Sequence, residues 1–222
     1  PEQVPIAQKD MIRKCNQRAI PVITATQMLD SMIRNPRPTR AEASDIANAI
    51  IDGTDAIMLS GETASGKYPV QAVETMARIA EHTENSWAKM NGFLNKPITE
   101  VTLTDAISQA VCQSATVLQA DAIITATSSG TTARMVAKYR PLAKIIAVTP
   151  DETIANQLCL LWGVTPVLTN HTYATDVMVS EAIAAALDAG QIANGDLILL
   201  TSGIRAGVPG STNMMQIITV GD

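Results

Sequence analysis

Short apolar segments alternate with helical patterns along this chain, and this alternation limits the possible fold more than any other feature. Beyond residue 102 the pattern predicts five strands, at 121–126, 144–149, 164–169, 196–201 and 214–220. It predicts helices over 102–119, 131–139, 151–161 and 174–189. Such alternation is typical of domains in which a sheet of mainly parallel strands lies between helices. We therefore predict an α/β fold, with a three-layer α/β/α domain built on a mainly parallel five-stranded sheet.

Residues 1–86 show the same alternation but have too few strands for a complete sheet. They contain two predicted strands, 21–26 and 56–59, and about three helices. Both strands are apolar on both faces, as parallel strands buried beneath helices are. Two parallel strands cannot close a barrel and would leave both edges open. We therefore predict that residues 1–86 are a slice of a larger sheet.

Local signals predict where the helices of this slice begin and end. Thr39 and Glu42 have the spacing of a capping box, and Gly53 lies where a left-handed helix end is expected. Pro69 starts a further helix, for which we predict one apolar face made of Val70, Val73, Ala77 and Ala80. Residues 87–101 contain glycine, asparagine and proline and break the pattern, so we predict a linker there. The expected domains are thus 1–86 and 102–222.

The composition excludes some partners. With 16 basic and 21 acidic residues the net charge is -5, which argues against nucleic acid. No apolar run is long enough to cross a bilayer, and no signal peptide is visible. The three cysteines form no CxxC pair, which is typical of buried thiols in a reducing compartment. We therefore expect a cytoplasmic protein without a membrane partner.

Polar side chains follow both strands of the slice, where parallel α/β folds place their functional groups. The first strand ends in Thr24, Thr26 and Gln27, and the second in Ser60, Glu62 and Thr63. Such hydroxyls can bind a carboxylate or relay a proton through water, and Glu62 could orient them. Alternatively, they only satisfy backbone groups of the loops. Residue spacing alone leaves both interpretations open.

A run of hydroxyl residues around one glycine follows the predicted strand 121–126: Thr127, Ser128, Ser129, Gly130, Thr131 and Thr132. A glycine and hydroxyls at a helix start are typical of a phosphate-binding loop. The alternative is an ordinary helix cap. A second loop follows the strand at 196–201 and should lie at the same sheet edge. It carries one cation and several small residues: Arg205, Gly207, Gly210, Ser211 and Thr212. It could equally be a simple return into the last strand.

Three runs match segments of one enzyme family almost letter for letter: ITATQML at 23–29, NPRPTRAE at 35–42 and IMLSGET at 57–63. On these runs the chain resembles the pyruvate kinase family, and the resemblance covers essentially all 222 residues. It implies that residues 1–86 are the last two strand–helix units of a (β/α)8 barrel. Residues 102–222 would be the whole regulatory C-terminal domain.

The resemblance also implies an activity for the parent protein. Members of the family transfer phosphate from phosphoenolpyruvate to ADP in glycolysis, giving pyruvate and ATP, with Mg²⁺ and K⁺, as cytoplasmic homotetramers. The family's catalytic lysine, metal-binding carboxylates, potassium site and phosphate-binding arginine all precede this segment. Phosphoryl transfer depends on positioning and charge neutralisation. We therefore expect the isolated chain to be inactive and to bind no metal.

The same resemblance assigns roles to particular residues. It implies that Thr26 contacts the phosphoenolpyruvate carboxylate and that Ser60 belongs to the same catalytic network of hydroxyls and water. Arg37, Arg40 and Glu42 would contact a neighbouring subunit, although the residues alone indicate only a solvated cationic loop. Several relatives have a lysine where this chain has Ser65, so a nucleotide-phosphate contact there would have to come from Lys67.

The two loops of the second domain would form an allosteric site. In the family the loop matching residues 127–132 holds the phosphate of an effector, and the loop containing Arg205 closes over its sugar. Effectors there are phosphorylated sugars or nucleoside monophosphates, and a monophosphate is expected here. Three interpretations of the chain follow: part of an enzyme, a stand-alone module that binds sugar phosphates, or an oligomerisation module.

Overall fold

The computed structural model describes residues 2–91, 102–170, 175–203 and 212–221. The chain divides into two compact units, Pro1–Gly92 and Phe93–Asp222. No helix of the described residues is long and apolar enough to cross a membrane.

The first unit contains two short parallel strands and the helices that follow them. In chain order its elements are α1 (Val4–Gln17), β1 (Ile23–Ala25), a 3-10 helix (Asp30–Ile33), α2 (Arg40–Asp52), β2 (Ala56–Met58), α3 (Gly61–Ala64) and α4 (Pro69–Asn91). Strands β1 and β2 pair in register from Ile23–Ala56 to Ala25–Met58. They form a two-stranded sheet of their own. The predicted slice with open sheet edges is therefore confirmed.

The helix ends of this unit follow the local signals. The Thr39 side chain accepts the Glu42 N–H, and the Glu42 carboxylate accepts the Thr39 N–H, which completes the predicted capping box. Gly53 ends α2 with a φ of 93°, a left-handed conformation that glycine adopts without strain.

The buried face of α4 differs from the one predicted. Ala72 and Met76 are buried against α2 and the loop after β1, whereas Val70 and Val73 are 63% and 53% exposed. The predicted face was wrong because alanine and valine occupy several sides of this helix. Its packing partner, and not its composition, selects the buried side. Helix α4 also continues to Asn91, into the segment for which we predicted a linker.

The second unit contains one five-stranded sheet. Its elements are α5 (Leu103–Leu118), β3 (Ala122–Ala126), α6 (Thr131–Ala137), β4 (Lys144–Thr149), α7 (Glu152–Leu158), β5 (Val164–Leu168), α8 (Thr175–Asp188), β6 (Leu197–Gly203) and β7 (Thr212–Thr219). The strand order is β5-β4-β3-β6-β7. All neighbouring strands are parallel except β6 and β7, which are antiparallel. The mainly parallel sheet is confirmed.

Successive residues of the central strands point to opposite faces of the sheet and pack against different helices. Ile124 and Leu200 pack on α8 through Ala182 and Ala186. Their sequence neighbours Ile123 and Leu199 pack with apolar residues of α5 and α6. The sheet therefore lies between two helical layers, as predicted.

The cysteines only partly follow their prediction. All three are free; Cys112 is buried, but Cys159 is exposed and Cys15 is half-buried. Cys112 lies on the sheet-facing side of α5, whereas Cys159 directly follows the last residue of α7.

Candidate functional site

The chain turns sharply after β1 with an unusual backbone conformation. Thr26 and Gln27 have φ values of 74° and 55°, in the left-handed region. This region is unfavourable for residues other than glycine, and especially for a β-branched threonine. Both side chains are exposed, and the chain then buries Met28 and Leu29. Backbone strain of this kind persists only where the surroundings hold it.

The buried carboxylate of Glu62 ties this turn to the loop after β2. Glu62 is 3% exposed. Its Oε1 accepts the N–H of Leu29 at 3.1 Å, and its Oε2 accepts the N–H of Ser60 at 2.8 Å. One side chain thus joins the carboxyl ends of both strands. This bridge brings the loops of Thr26 and Ser60 together.

The hydrogen bonds determine the charge state of this carboxylate. Burial alone would raise the pKa of Glu62. The N–H groups of Glu62 itself, Ser60 and Leu29 outweigh burial and hold the pKa below its usual value, although the nearby Glu42 carboxylate opposes them. Glu62 is therefore an ionised acceptor that orients the loops.

The two hydroxyl residues expected at the catalytic site, Thr26 and Ser60, are both exposed beside this bridge. Exposed hydroxyls can donate hydrogen bonds to a carboxylate or to water. Thr24 does not join them. It is 7% exposed within β1, and its hydroxyl donates to Thr54 Oγ1 at 2.9 Å. The expectation that Thr24 belongs to this group was wrong, because Thr24 lies inside the paired part of β1 and its hydroxyl is bonded to Thr54, whereas the chain leaves the strand conformation at Thr26.

Glu42 has a structural role within the chain that its capping position only partly indicated. Besides closing the capping box, its carboxylate accepts the backbone N–H and the hydroxyl of Ser31, at 2.7 and 2.6 Å. The bonds from Ser31 and Thr39 outweigh burial and lower the pKa of Glu42. Arg37 and Arg40, expected beside it at a subunit contact, are exposed.

The described residues of this site do not gather a cluster of metal-binding side chains. No group of three histidine, cysteine, aspartate or glutamate side chains in the described part of the chain could hold one. The two carboxylates nearest the strand ends, Glu42 and Glu62, already accept hydrogen bonds from the chain itself. We therefore assign neither Glu42 nor Glu62 as a ligand of Mg²⁺ or K⁺.

The loop from β3 to α6 forms hydrogen bonds within itself. The N–H of Gly130 donates to Thr127 Oγ1 at 3.0 Å, and the hydroxyls of Ser129 and Thr131 lie 2.9 Å apart. Gly130 has a φ of 77°, and a Cβ there would lie 3.2 Å from Leu158 Cδ2. Glycine is therefore required by the turn. Ser128 is exposed at the tip of this loop.

A buried hydroxyl pair ties this loop to the start of β7. Thr132 Oγ1 and Thr212 Oγ1 lie 2.8 Å apart, and both residues are buried. Thr212 is the part of the expected effector loop that the structure describes. The other members, Arg205, Gly207, Gly210 and Ser211, lie outside the described residues.

One cation beside the loop was not predicted. Arg134 donates to the carbonyl oxygen of Ser129 at 3.4 Å and to Gln157 Oε1 at 3.3 Å. Its position offers a signal that sequence reasoning could have used. Arg134 follows Gly130 by four residues, so helical periodicity returns its side chain toward the loop.

The chain is similar to known proteins along its whole length. The family described as "Pyruvate kinase, alpha/beta domain" matches residues 105–218, and "Pyruvate kinase, barrel domain" matches residues 1–73. Pyruvate kinases of Staphylococcus epidermidis and Staphylococcus aureus are 54% and 53% identical to it over 224 aligned positions. Each alignment covers 100% of this chain and 38% of the relative.

A solved structure shows the same fold. The crystal structure of a pyruvate kinase from Cryptosporidium parvum superposes with a TM-score of 0.84 at 40% identity. The superposition covers 99% of this chain and 44% of that one. The chain therefore spans less than half the length of each of these relatives. With both domain families and full-length similarity in agreement, the chain belongs to the pyruvate kinase family.

Proposed function

We propose that this chain is the C-terminal part of a pyruvate kinase. The whole protein would transfer phosphate from phosphoenolpyruvate to ADP in glycolysis, giving pyruvate and ATP. It would use Mg²⁺ and K⁺ and act as a cytoplasmic homotetramer. The observation that carries this proposal is the Glu62 bridge, which ties together the loops of Thr26 and Ser60 inside two family motifs.

In this proposal, the loops that follow β1 and β2 each contribute one hydroxyl group to the substrate site. The Thr26 hydroxyl donates to the carboxylate of phosphoenolpyruvate, and Ser60 belongs to the adjoining network of hydroxyls and water. Both side chains are exposed and can reach a ligand. Arg37 and Arg40, also exposed, contact the neighbouring subunit together with Glu42. Residues 1–86 belong to the catalytic barrel and residues 102–222 to the regulatory domain.

We expect residues 1–222 by themselves to show no turnover. Phosphoryl transfer needs cations that neutralise the transferred group, and the described residues bring together no group of three histidine, cysteine, aspartate or glutamate side chains that could hold a metal ion. The test is a coupled assay that detects pyruvate formed from phosphoenolpyruvate and ADP with Mg²⁺ and K⁺. Metal-dependent turnover that Thr26→Ala abolishes would refute the expected inactivity and would place catalysis on this chain.

The chain would retain a site for a phosphorylated metabolite at the loop between β3 and α6. Two observations support this second role. Gly130 holds the left-handed turn that opens α6, and Thr132 is tied to Thr212 at the end of the second loop, where β7 begins. The expected ligand is a sugar phosphate or a nucleoside monophosphate. A stand-alone binding module is the alternative function if the chain acts without a catalytic partner.

Thermal melting with a ligand panel tests this site. The panel contains glucose 6-phosphate, ribose 5-phosphate, AMP, fructose 1,6-bisphosphate and inorganic phosphate. At a ligand concentration 100 times Kd, stabilisation is about 2.7 kcal/mol. Ser128→Asp should abolish the shift by charge repulsion, whereas the matched neutral variant Ser128→Asn should retain it. These variants are preferable to a change at Gly130, because a side chain there would strain the turn.

The oligomerisation role has a separate test. If Arg37 and Arg40 contact a second subunit, sedimentation of residues 1–222 should detect a dimer or a larger assembly. The variant Arg37→Glu should shift it toward the monomer. A monomer at high protein concentration would contradict this role.

A further inference from the structure

A cavity between β5 and α8 contains a carboxylate that the interactions of the described chain do not account for. Strand β5 is the outermost strand of the five-stranded sheet, and α8 packs against it. The cavity has a volume of about 800 Å³, within the range of small-molecule sites. The residues that line it have no role in the function proposed above, so the inference is independent of that function.

The carboxylate belongs to Glu181, in the middle of α8. The residue is half-buried, and its Oε2 is buried without a hydrogen bond from any described residue. Buried polar atoms are normally hydrogen-bonded, and buried charges are normally paired. Because water does not reach Oε2, the negative charge of Glu181 is stabilised less than that of an exposed carboxylate. A cation that contacts this carboxylate from the cavity would supply the stabilisation.

A second carboxylate lies two turns further along the same face of α8. Asp188 follows Glu181 by seven residues and lines the same cavity. The two residues are therefore about 10 Å apart along the helix axis. Ala184 and Ala185 lie between them on this face, and their small side chains leave a groove along the helix. The helix thus presents two acidic groups separated by a short apolar stretch.

The strand side of the cavity adds acceptors and no positive charge. Gly163 and Thr169, at either end of β5, bond to β4 through a carbonyl oxygen and an N–H. By alternation along the strand, Pro166 directs its backbone groups away from β4, and proline has only a carbonyl oxygen to offer. None of the described residues that line the cavity is lysine, arginine or histidine. A matching ligand must therefore carry the donors and the positive charge.

We propose that this cavity binds a linear aliphatic diamine, an alkyl chain with an ammonium group at each end. One ammonium group contacts Glu181 and the other contacts Asp188, while the methylene chain packs along Ala184 and Ala185. An ammonium group has three donors and no acceptor, which complements this lining. A single Ca²⁺ ion fits less well, because its ligand distances are about 2.3–2.6 Å and the two acidic residues are too far apart to share it.

Calorimetric titration of residues 1–222 with 1,8-diaminooctane tests the proposal. This probe is long enough for its two ammonium groups to reach both carboxylates. Octylamine has the same chain with one ammonium group, and 1,3-diaminopropane has two ammonium groups on a chain too short to join the two residues. The longer diamine should bind about tenfold more tightly than either comparison compound, since hydrogen bonds between charged groups are the strong ones.

Variants of the cavity separate its two ends and its groove. Glu181→Gln should weaken binding of 1,8-diaminooctane by about tenfold, and Asp188→Asn should reduce its affinity to that of octylamine. Ala184→Leu retains both carboxylates but fills the groove between them, so it should also weaken binding. Glu152→Gln is the matched control, because Glu152 is an exposed carboxylate of α7 that does not line the cavity.

The control also measures non-specific attraction of the diamine to a chain of net charge -5. The proposal is overturned if 1,8-diaminooctane does not bind, if octylamine binds as tightly, or if Glu152→Gln loses as much affinity as Glu181→Gln. Binding that persists unchanged in both Glu181→Gln and Ala184→Leu would also overturn it. Circular dichroism of each variant verifies that the fold is intact.

Discussion

Replacing the buried bridging carboxylate should loosen both strand ends at once. In Glu62→Gln, one side-chain oxygen still accepts an N–H, but the new NH₂ group faces the other one. The variant therefore loses one hydrogen bond to a charged group and leaves the N–H of Leu29 or Ser60 without an acceptor. The free energy of unfolding of the first unit should fall by about 2 kcal/mol. Glu62→Ala loses both bonds and leaves a cavity, so we expect about 4 kcal/mol.

Amide hydrogen exchange measured by NMR would detect this change locally. A loss of about 2 kcal/mol corresponds to exchange about 30-fold faster at the amides of Leu29 and Ser60. The amide of Ile124, in the other unit, should not change and serves as the internal reference. Glu74→Gln is the matched control, since Glu74 is exposed on α4 and such changes have small effects.

The pH dependence provides a second readout of the same bridge. The folded-state pKa of Glu62 is held below its usual value. Its stabilising contribution is therefore complete above the unfolded pKa of about 4.3 and is lost as the pH falls through the folded value. Glu62→Gln should abolish that part of the acid dependence. Unchanged protection of both amides together with an unchanged acid profile would refute the bridging role.

Three further predictions concern other parts of the chain. Lys138 and Tyr139 hydrogen-bond to the buried Asp105, and Lys138, together with Thr102, outweighs burial and lowers its pKa. The contribution of Asp105 to stability should be complete above about pH 3.9 and decline as the pH falls through its lowered pKa. In Lys138→Met, the free energy of unfolding measured by urea denaturation should decline less over this pH range. Gly66→Ala should destabilise the first unit, because its Cβ would lie 2.3 Å from a backbone oxygen; an unchanged melting temperature would contradict this. Thr39→Ala should lower stability by about 1 kcal/mol through loss of the α2 cap, whereas Thr39→Ser should retain most of it.

Much of the fold was predictable because it depends on neighbouring residues. The capping box of Thr39 and Glu42 and the helix end at Gly53 involve residues at most four apart from the groups they satisfy. The alternation of apolar segments and helices predicted the parallel strands, since a parallel connection needs a crossover helix. These features need no information about distant partners.

The candidate site was predictable only in part. The positions of Thr26 and Ser60 at strand ends follow from the pattern, but the left-handed conformation of Thr26 does not. A threonine carries no local signal for that conformation, because its own preference is against it. The bridge from Glu62 to Leu29 spans 33 residues and depends on the pairing of β1 with β2.

The sequence alone therefore determined the order of the elements, the class of the sheet and, through its motifs, the family. The tertiary structure decided which side of α4 is buried, which hydroxyls face solvent and which carboxylate joins the two strand ends. The physical reason is the range of the interactions. Periodicity and capping act within a few turns of chain, whereas burial and bridging hydrogen bonds are fixed only when distant segments pack against each other.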